Sequence, residues 1–252
     1  MRCALALLLL LVAARAGAAE EPGEPGAAGA AGAAGAAGAA GASGGSLEAL
    51  GKAAPPCDAA RAHCLGLKLH VAVGDQGPVA SADWVVRQLA QANRHFESIG
   101  VGFQIAGVAA LPDTAARIED ARERTELGRH VAGTVIDVFV TAHLDDIDKK
   151  DAFIYGVAWP KGAKKYVIVS TMAWERTLAH ELGHVFGLPH SAYAISIMNK
   201  TQRKEPPLEQ RTFHANELAV MRGQLARLLR EKVIADLPRA AARAAAPATA
   251  RP

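Results

Sequence analysis

Hydrophobic and polar positions alternate over residues 65–73 and again over 101–105, and this period of two predicts two half-buried strands. In the first of them we place His70 on the polar, solvated face. Short apolar runs rich in β-branched residues predict three further strands, at 135–140, 154–159 and 166–170, with a turn at 160–162 between the last two.

Three other segments show the periodicity of helices. The first begins after Ser81, a residue type that caps helix N-termini, and ends before Gly100. The other two are predicted at 172–186 and 216–235. Strands and helices in this order predict an α/β (α+β) fold, in which helices pack on a mixed sheet.

Low-complexity segments flank this folded region. Residues 1–16 combine a charged start, an apolar run and a small-x-small site, which together predict a secretory signal peptide, with an uncleaved anchor as the alternative. The Ala/Gly-rich segment 17–56 is predicted to be a disordered spacer, and the Ala/Pro/Arg-rich segment 238–252 a disordered tail. One domain therefore remains, at 57–237.

The charge of the chain argues against a nucleic-acid partner. The formal net charge is +3, and it falls to −2 without the two arginines of the predicted signal peptide and the three of the tail. No basic footprint remains. The apolar run of the signal peptide is too short to span a bilayer, so we expect no transmembrane helix after its removal. We expect a protein that is secreted or faces the cell envelope, and a monomer.

Two cysteines remain after the predicted signal peptide. Export implies an oxidising compartment, which favours a Cys57–Cys64 disulfide. The alternative is a free Cys57, whose thiolate would act as a blocking group in a latent precursor.

A metal-binding motif lies at 180–190, where the sequence fits H-E-x-x-H-x-x-G-x-x-H. His180 and His184 are four residues apart, so on a helix their rings lie on adjacent turns of one face. Gly187 and Pro189 stop the helix. The chain can then turn and bring His190 towards the other two as a third ligand.

Three neutral histidines leave a coordination position open, as in catalytic zinc sites. Glu181 can serve as the general base that accepts a proton from water activated by the zinc, and can return it to the leaving amine. The alternatives are a structural zinc site and a helix with incidental surface histidines. A structural site has little use for the glutamate.

The motif resembles that of the metzincin zinc endopeptidases. A methionine-containing turn follows the third histidine in that family, and Met198, eight residues after His190, is similar to it. An ordinary core methionine is the alternative. The short spacing and Ser191 most resemble the matrixin branch. The resemblance implies a metzincin-like mixed twisted sheet with an antiparallel edge strand, packed by an active-site helix and two further helices.

The resemblance also implies that a peptide substrate adds to the edge strand. The residues in the corresponding place are Gly156, Val157, Ala158 and Trp159. Backbone hydrogen bonds would then hold an extended peptide without reading its side chains. An ordinary internal hairpin is the alternative.

The chain departs from the family at several positions, so it resembles a matrixin-like outlier. Some metzincins carry a tyrosine two residues after the turn methionine, where this chain has Lys200. Tyr193 is a candidate substitute, or else a surface tyrosine. The acidic segment 143–148 is a candidate calcium site, with a solvated loop as the simpler alternative.

These observations predict a secreted zinc-dependent endopeptidase. It would bind one Zn²⁺ through His180, His184 and His190, and Glu181 would act as general base on a peptide or protein substrate. Two alternatives stay open: a non-catalytic zinc-bearing peptide-binding module, and a zinc hydrolase of a non-peptide amide.

Overall fold

The computed structural model describes residues 45–238. The predicted signal peptide at 1–16, most of the predicted spacer and the tail from 239 onwards lie outside the described residues. The helices and strands of the described part are α1 (Leu47–Ala53), β1 (His63–Gly74), β2 (Gly77–Pro78), α2 (Ala82–Phe96), β3 (Val101–Leu111), β4 (Arg117–Ile118), α3 (Ala121–Leu127), β5 (Ile136–Thr141), β6 (His143–Leu144), β7 (Gly156–Lys161), β8 (Lys164–Ser170), α4 (Thr177–Val185) and α5 (Ala215–Arg230).

The main sheet is mixed, with the strand order β3-β1-β5-β8-β7. Four neighbouring strands are parallel, and β7 alone among these five runs antiparallel to its neighbour β8. The short β2 forms a hairpin at the end of β1. The predicted fold class, a mixed sheet with helices packed on it, is confirmed.

Both faces of the sheet are covered. The larger apolar core lies between the sheet and the helices α2, α4 and α5, and contains Phe96, Phe186 and Met221. A second core, with Phe139 and Tyr166, lies on the other face beneath α3 and the loops. Parallel strands are usually buried in this way on both sides.

The second core corrects the prediction for His70. Its side chain is 2% exposed, and its Nε2 lies 2.8 Å from Asp137 Oδ1 in the neighbouring strand. Its ring stacks on Phe139. Alternation of polar and apolar residues predicted a solvated face, but elements distant in sequence cover that face.

The boundaries of several elements differ from the predictions. The helix α1 lies within the segment predicted to be spacer: Ser46 caps it, and Leu50 is buried in the larger core. The predicted start of the folded domain at residue 57 is therefore too late. In the hairpin, Pro160 and Lys161 belong to β7, and Gly162 at φ +57° makes the turn. The predicted final helix ends at Arg230 rather than 235.

Among the described residues, no helix is long and apolar enough to cross a membrane.

Candidate metal centre

The helix α4 carries the first half of the motif. Leu178, Leu182 and Val185 face the core and are buried, while His180 and His184 lie on the other side of the helix. The helix begins at Thr177, five residues later than predicted. A residue far away in the sequence holds the start of this helix: the Leu178 N–H donates to Oε1 of the buried Gln88 in α2 at 3.0 Å.

The chain reverses directly after α4. Gly187 has φ +87°, a left-handed conformation that suits glycine, and the Leu188 N–H donates to the Gly183 carbonyl at 3.0 Å. This reversal brings His190 to the other two histidines, as the sequence predicted. One ring nitrogen from each of the three lies within 4.8 Å of the others.

Hydrogen bonds fix the orientation of two of the rings. His180 Nδ1 lies 2.7 Å from the Ile197 carbonyl oxygen, and His184 Nδ1 lies 2.7 Å from that of Leu188. A carbonyl only accepts, so each Nδ1 carries the proton and each Nε2 keeps its lone pair for a metal. Backbone carbonyls commonly orient metal-binding histidines in this way.

The charge state of the histidines also suits a metal. Burial lowers the pKa of His184 and of His190 to about 4, and it lowers that of His180 as well. All three imidazoles are therefore neutral at neutral pH, which is the form that binds metal ions. Three neutral imidazoles with no cysteine among them form a donor set that fits zinc with an open coordination position.

Glu181 lies next to the first histidine and is only 5% exposed. Burial raises its pKa to about 8, and a hydrogen bond from the backbone of Ala158 partly opposes this rise. A cation held by the neighbouring histidines would lower the pKa again, because an opposite charge favours the ionised form. The carboxyl group thus meets the backbone of β7 at Ala158, on the residue that follows the first histidine.

The segment around Met198 forms a buried turn beneath α4. Met198 is fully buried, and a Cβ added to Gly183 would lie 2.5 Å from its Sδ. Ser196 Oγ accepts from the Met198 N–H at 2.9 Å and donates to Glu217 of α5, 2.7 Å from Oε2. The turn also supplies the Ile197 carbonyl that orients His180, so α5 is coupled to the first histidine.

The strand β7 has one open edge; among the described strands it pairs only with β8. The Ser170 N–H donates to the Tyr155 carbonyl at 2.9 Å, so the backbone groups of Tyr155 face β8. Because these directions alternate along a strand, the backbone groups of Gly156 and Ala158 face outwards. The hydrogen bond from Ala158 to Glu181 agrees with this direction.

Gly156 makes a close approach possible. A Cβ at this position would lie 2.8 Å from Thr177 Cγ2 and 2.9 Å from Glu181 Cγ. The absence of a side chain therefore lets the edge strand lie directly against the active-site helix.

Other predicted residues lie elsewhere. Tyr193 stacks on His214 with ring centroids 3.7 Å apart, and its hydroxyl accepts from Asn216 Nδ2 at 3.0 Å, so it faces α5. Lys200 is exposed, and its charge helps to lower the pKa of His180 and of His190. Sequence reasoning missed Gln88 and Glu217, whose roles depend on contacts between segments far apart in the chain.

Two further predictions concern the cysteines and the acidic segment 143–148. Cys57 and Cys64 form a disulfide. In the acidic segment, Asp145 lies 2.8 Å from Arg117 Nη2 and 2.7 Å from His143 Nε2, so its carboxylate is paired within the protein. Calcium binding there stays a prediction.

No protein-family model matches the sequence, and no curated protein matches it. Among solved structures, archaemetzincin from Methanopyrus kandleri is 19% identical with a TM-score of 0.46, over 68% of this chain and 100% of that one. Metalloproteinase-II from Bacteroides fragilis is 14% identical with a TM-score of 0.45, over 71% of this chain and 60% of that one.

A zinc-dependent peptidase from Methanocorpusculum labreanum is 18% identical with a TM-score of 0.39, over 62% of this chain and all of that one. None of the three is described as a matrixin.

Proposed function

We propose that this chain is a zinc metallopeptidase that hydrolyses internal peptide bonds. The observation that carries the proposal is the three-histidine cluster, with the buried Glu181 on one side of it and the open edge of β7 beside that carboxyl group. Metal ligands, a base and a surface for an extended peptide thus adjoin one another. The matrixin-like character of the chain stays a proposal, supported by the position of Met198 eight residues after His190.

The histidines and the glutamate would have separate roles in the reaction. His180, His184 and His190 would hold the ion, which when bound polarises the scissile carbonyl and lowers the pKa of water. Glu181 would accept a proton on a carboxylate oxygen from the attacking water, and would then deliver it to the leaving amine nitrogen. Burial of this carboxyl group keeps bulk water from competing for the proton.

The edge strand would position the substrate. The outward backbone groups of Gly156 and the outward carbonyl of Ala158, whose N–H donates to Glu181, can pair with an extended peptide by strand addition. A peptide that pairs along this strand on both sides of the cleaved bond is cut inside its chain, and this mode of binding supports an endopeptidase. Backbone pairing recognises the main chain of the peptide, so any preference for particular side chains must come from contacts with other residues.

The decisive experiment compares Glu181→Gln with the zinc-loaded wild type on a library of unstructured peptides. We expect the variant to keep one zinc per chain and to lose hydrolysis by about 10²–10⁴-fold, since the amide cannot take the proton. Glu209→Gln, at an exposed carboxyl group, should cleave as the wild type does. A chelator should abolish cleavage, and added zinc should restore it.

Turnover that is undiminished in Glu181→Gln would remove the mechanism. Stoichiometric peptide binding without cleavage by the wild type would instead support the zinc-bearing binding module. Cleavage restricted to non-peptide amides, identified by mass spectrometry of the products, would support the other hydrolase.

We also propose that the protein is exported. The Cys57–Cys64 disulfide supports this proposal, because such bonds persist in oxidising compartments and are rare in the cytosol. Fractionation of cells that express the full chain would test it, and recovery of the protein only in the cytosol would contradict it.

A further inference from the structure

Three large aromatic side chains, Phe153, Tyr155 and Trp174, form an exposed surface near the beginnings of β7 and α4. We call this surface the aromatic patch. The three side chains are 46%, 37% and 63% exposed, respectively. The ring centroids of Phe153 and Tyr155 are 5.5 Å apart, and those of Tyr155 and Trp174 are 6.3 Å apart, both edge to face. Contiguous exposed apolar surface of this kind commonly marks an interaction site.

The backbone that carries the patch is held by hydrogen bonds. The Tyr155 carbonyl accepts from the Ser170 N–H at 2.9 Å. The Trp174 carbonyl accepts from the Thr177 N–H at 2.8 Å and from Gln88 Nε2 at 2.9 Å. The rings are therefore exposed on fixed backbone, and a ligand that binds them would not have to order a loop first.

The position of the patch connects it to the proposed active site. Tyr155 directly precedes Gly156 at the start of the edge strand, and Trp174 lies three residues before Thr177 at the start of α4. A Cβ added to Gly156 would lie 2.8 Å from Thr177 Cγ2 and 2.9 Å from Glu181 Cγ, so the start of the edge strand lies close to the start of α4 and to Glu181. The patch thus adjoins the beginning of the edge strand, close to the point where Glu181 lies.

We infer that the aromatic patch is an extended substrate-binding site, which takes an apolar, preferably aromatic, side chain of the peptide at some distance from the cleaved bond. This inference rests on the proposed function. An extended chain rises about 3.3 Å per residue, so a peptide that leaves the edge strand past Gly156 reaches the rings about two to four residues from the bond. Aromatic side chains would add edge-to-face contacts to those already present in the patch.

The test uses two peptides that differ at one position, two to four residues from the cleaved bond: tryptophan in one and serine in the other. Two such pairs are made, one with the varied residue on the N-terminal side of the cleaved bond and one with it on the C-terminal side. The wild type is compared with the double variant Trp174→Ser/Phe153→Ser. Val220→Ser is the matched control, because Val220 is 50% exposed but lies on α5, outside the patch.

We expect the wild type to cleave the tryptophan peptide with a kcat/KM about tenfold higher than the serine peptide, mainly through a lower KM. The double variant should lose this preference and cleave the serine peptide as the wild type does, and Val220→Ser should keep the preference. A change confined to KM is the mark of binding that is equal in the ground and transition states.

An equal fall for both peptides in the double variant, or a preference that survives in it, would overturn the inference. So would a change in the sedimentation of the double variant, because the patch would then be an interface between copies of the chain.

Peptide binding to zinc-loaded Glu181→Gln distinguishes a failure of the proposed function from a failure of the inference about the aromatic patch. If the wild type cleaves no peptide, the proposed function fails. Tighter binding of the tryptophan peptide, lost on adding the two patch substitutions, would still support the patch. Equal binding of the two peptides would contradict it.

Discussion

Gly183, in the last turn of α4, is a position where packing against the turn beneath the histidines decides which residue is tolerated. Alanine is ordinarily preferred to glycine inside a helix by about 1 kcal/mol. Here a Cβ would lie 2.5 Å from Met198 Sδ and 3.2 Å from Phe213 Cε1. The turn beneath the histidines therefore requires a residue without a side chain at this point.

We predict that Gly183→Ala lowers the free energy of unfolding by about 1–3 kcal/mol, the usual cost of overpacking a core. The control is Gly223→Ala in α5, where nothing lies within 4 Å of the added Cβ. That variant should gain up to about 1 kcal/mol. Urea denaturation of the zinc-free proteins measures both changes, and a stabilised Gly183→Ala protein would contradict the described packing.

The residues brought together at the histidine cluster could be predicted because their spacing reflects local geometry. His180 and His184 share a helix face, and the reversal at Gly187 is encoded by adjacent residues. Gln88 could not be found in the same way, since it caps a helix that starts 89 residues later in the chain. For His70 the prediction was wrong, because alternation does not show what covers the outer face of a sheet.

Hydrogen bonds join the turn at 196–198 to the helix α5. Glu217 of α5 accepts from Ser196 Oγ and from the His214 N–H, at 2.7 Å each, while Ser196 accepts from the Met198 N–H. This chain of hydrogen bonds leads to the Ile197 carbonyl and hence to the ring of His180.

We predict that Ser196→Ala weakens zinc binding by about tenfold, the lower end of the range for partners that orient metal ligands. It should also lower stability by about 1–2 kcal/mol, because a buried carboxylate loses a donor. Competition with a zinc-binding dye measures the affinity. Ser98→Ala, which removes a hydrogen bond to the His95 carbonyl away from the cluster, should leave zinc affinity unchanged. Equal affinities in all three proteins would contradict the coupling.

Element types were easier to predict than element boundaries. The strands β1 and β3 and the helix α2 agree with the sequence pattern, including the Ser81 cap and the left-handed Gly100. The start of α4 differs because Ser170 Oγ accepts from the Met172 N–H, and this turn replaces the first predicted helical turn. The helix α3 was not predicted at all.

At the scale of the whole molecule, stability should depend on pH through buried histidines. Burial, together with the charges of Arg94 and Arg176, lowers the pKa of His95 from 6.5 to about 4. Between these two pH values the unfolded chain binds a proton that the folded chain does not. Stability is therefore full above about pH 6.5 and falls as the pH drops towards about 4.

We predict that His95→Gln makes this fall shallower, by up to about 3 kcal/mol over the interval. The comparison isolates His95, because His184 and His190 have lowered pKa values in both proteins. Urea denaturation of the zinc-free wild type and variant at several pH values measures the difference. Parallel pH profiles for the two proteins would show that His95 does not contribute.

The mixed sheet with helices on it was predictable from the order of the elements, but the order of the strands in the sheet was not. That order depends on pairings such as Leu67 with Ile136, which no local pattern records. The covering of the second face, by α3 and the loops around it, is likewise set by contacts between distant segments.

X-ray absorption at the zinc edge, on the zinc-loaded full chain, tests the central claim most directly. The account predicts one zinc per chain with three imidazole nitrogens at about 2.0–2.1 Å, and the loss of one of them in His190→Ala. A sulfur ligand, or an unchanged first shell in that variant, would contradict it.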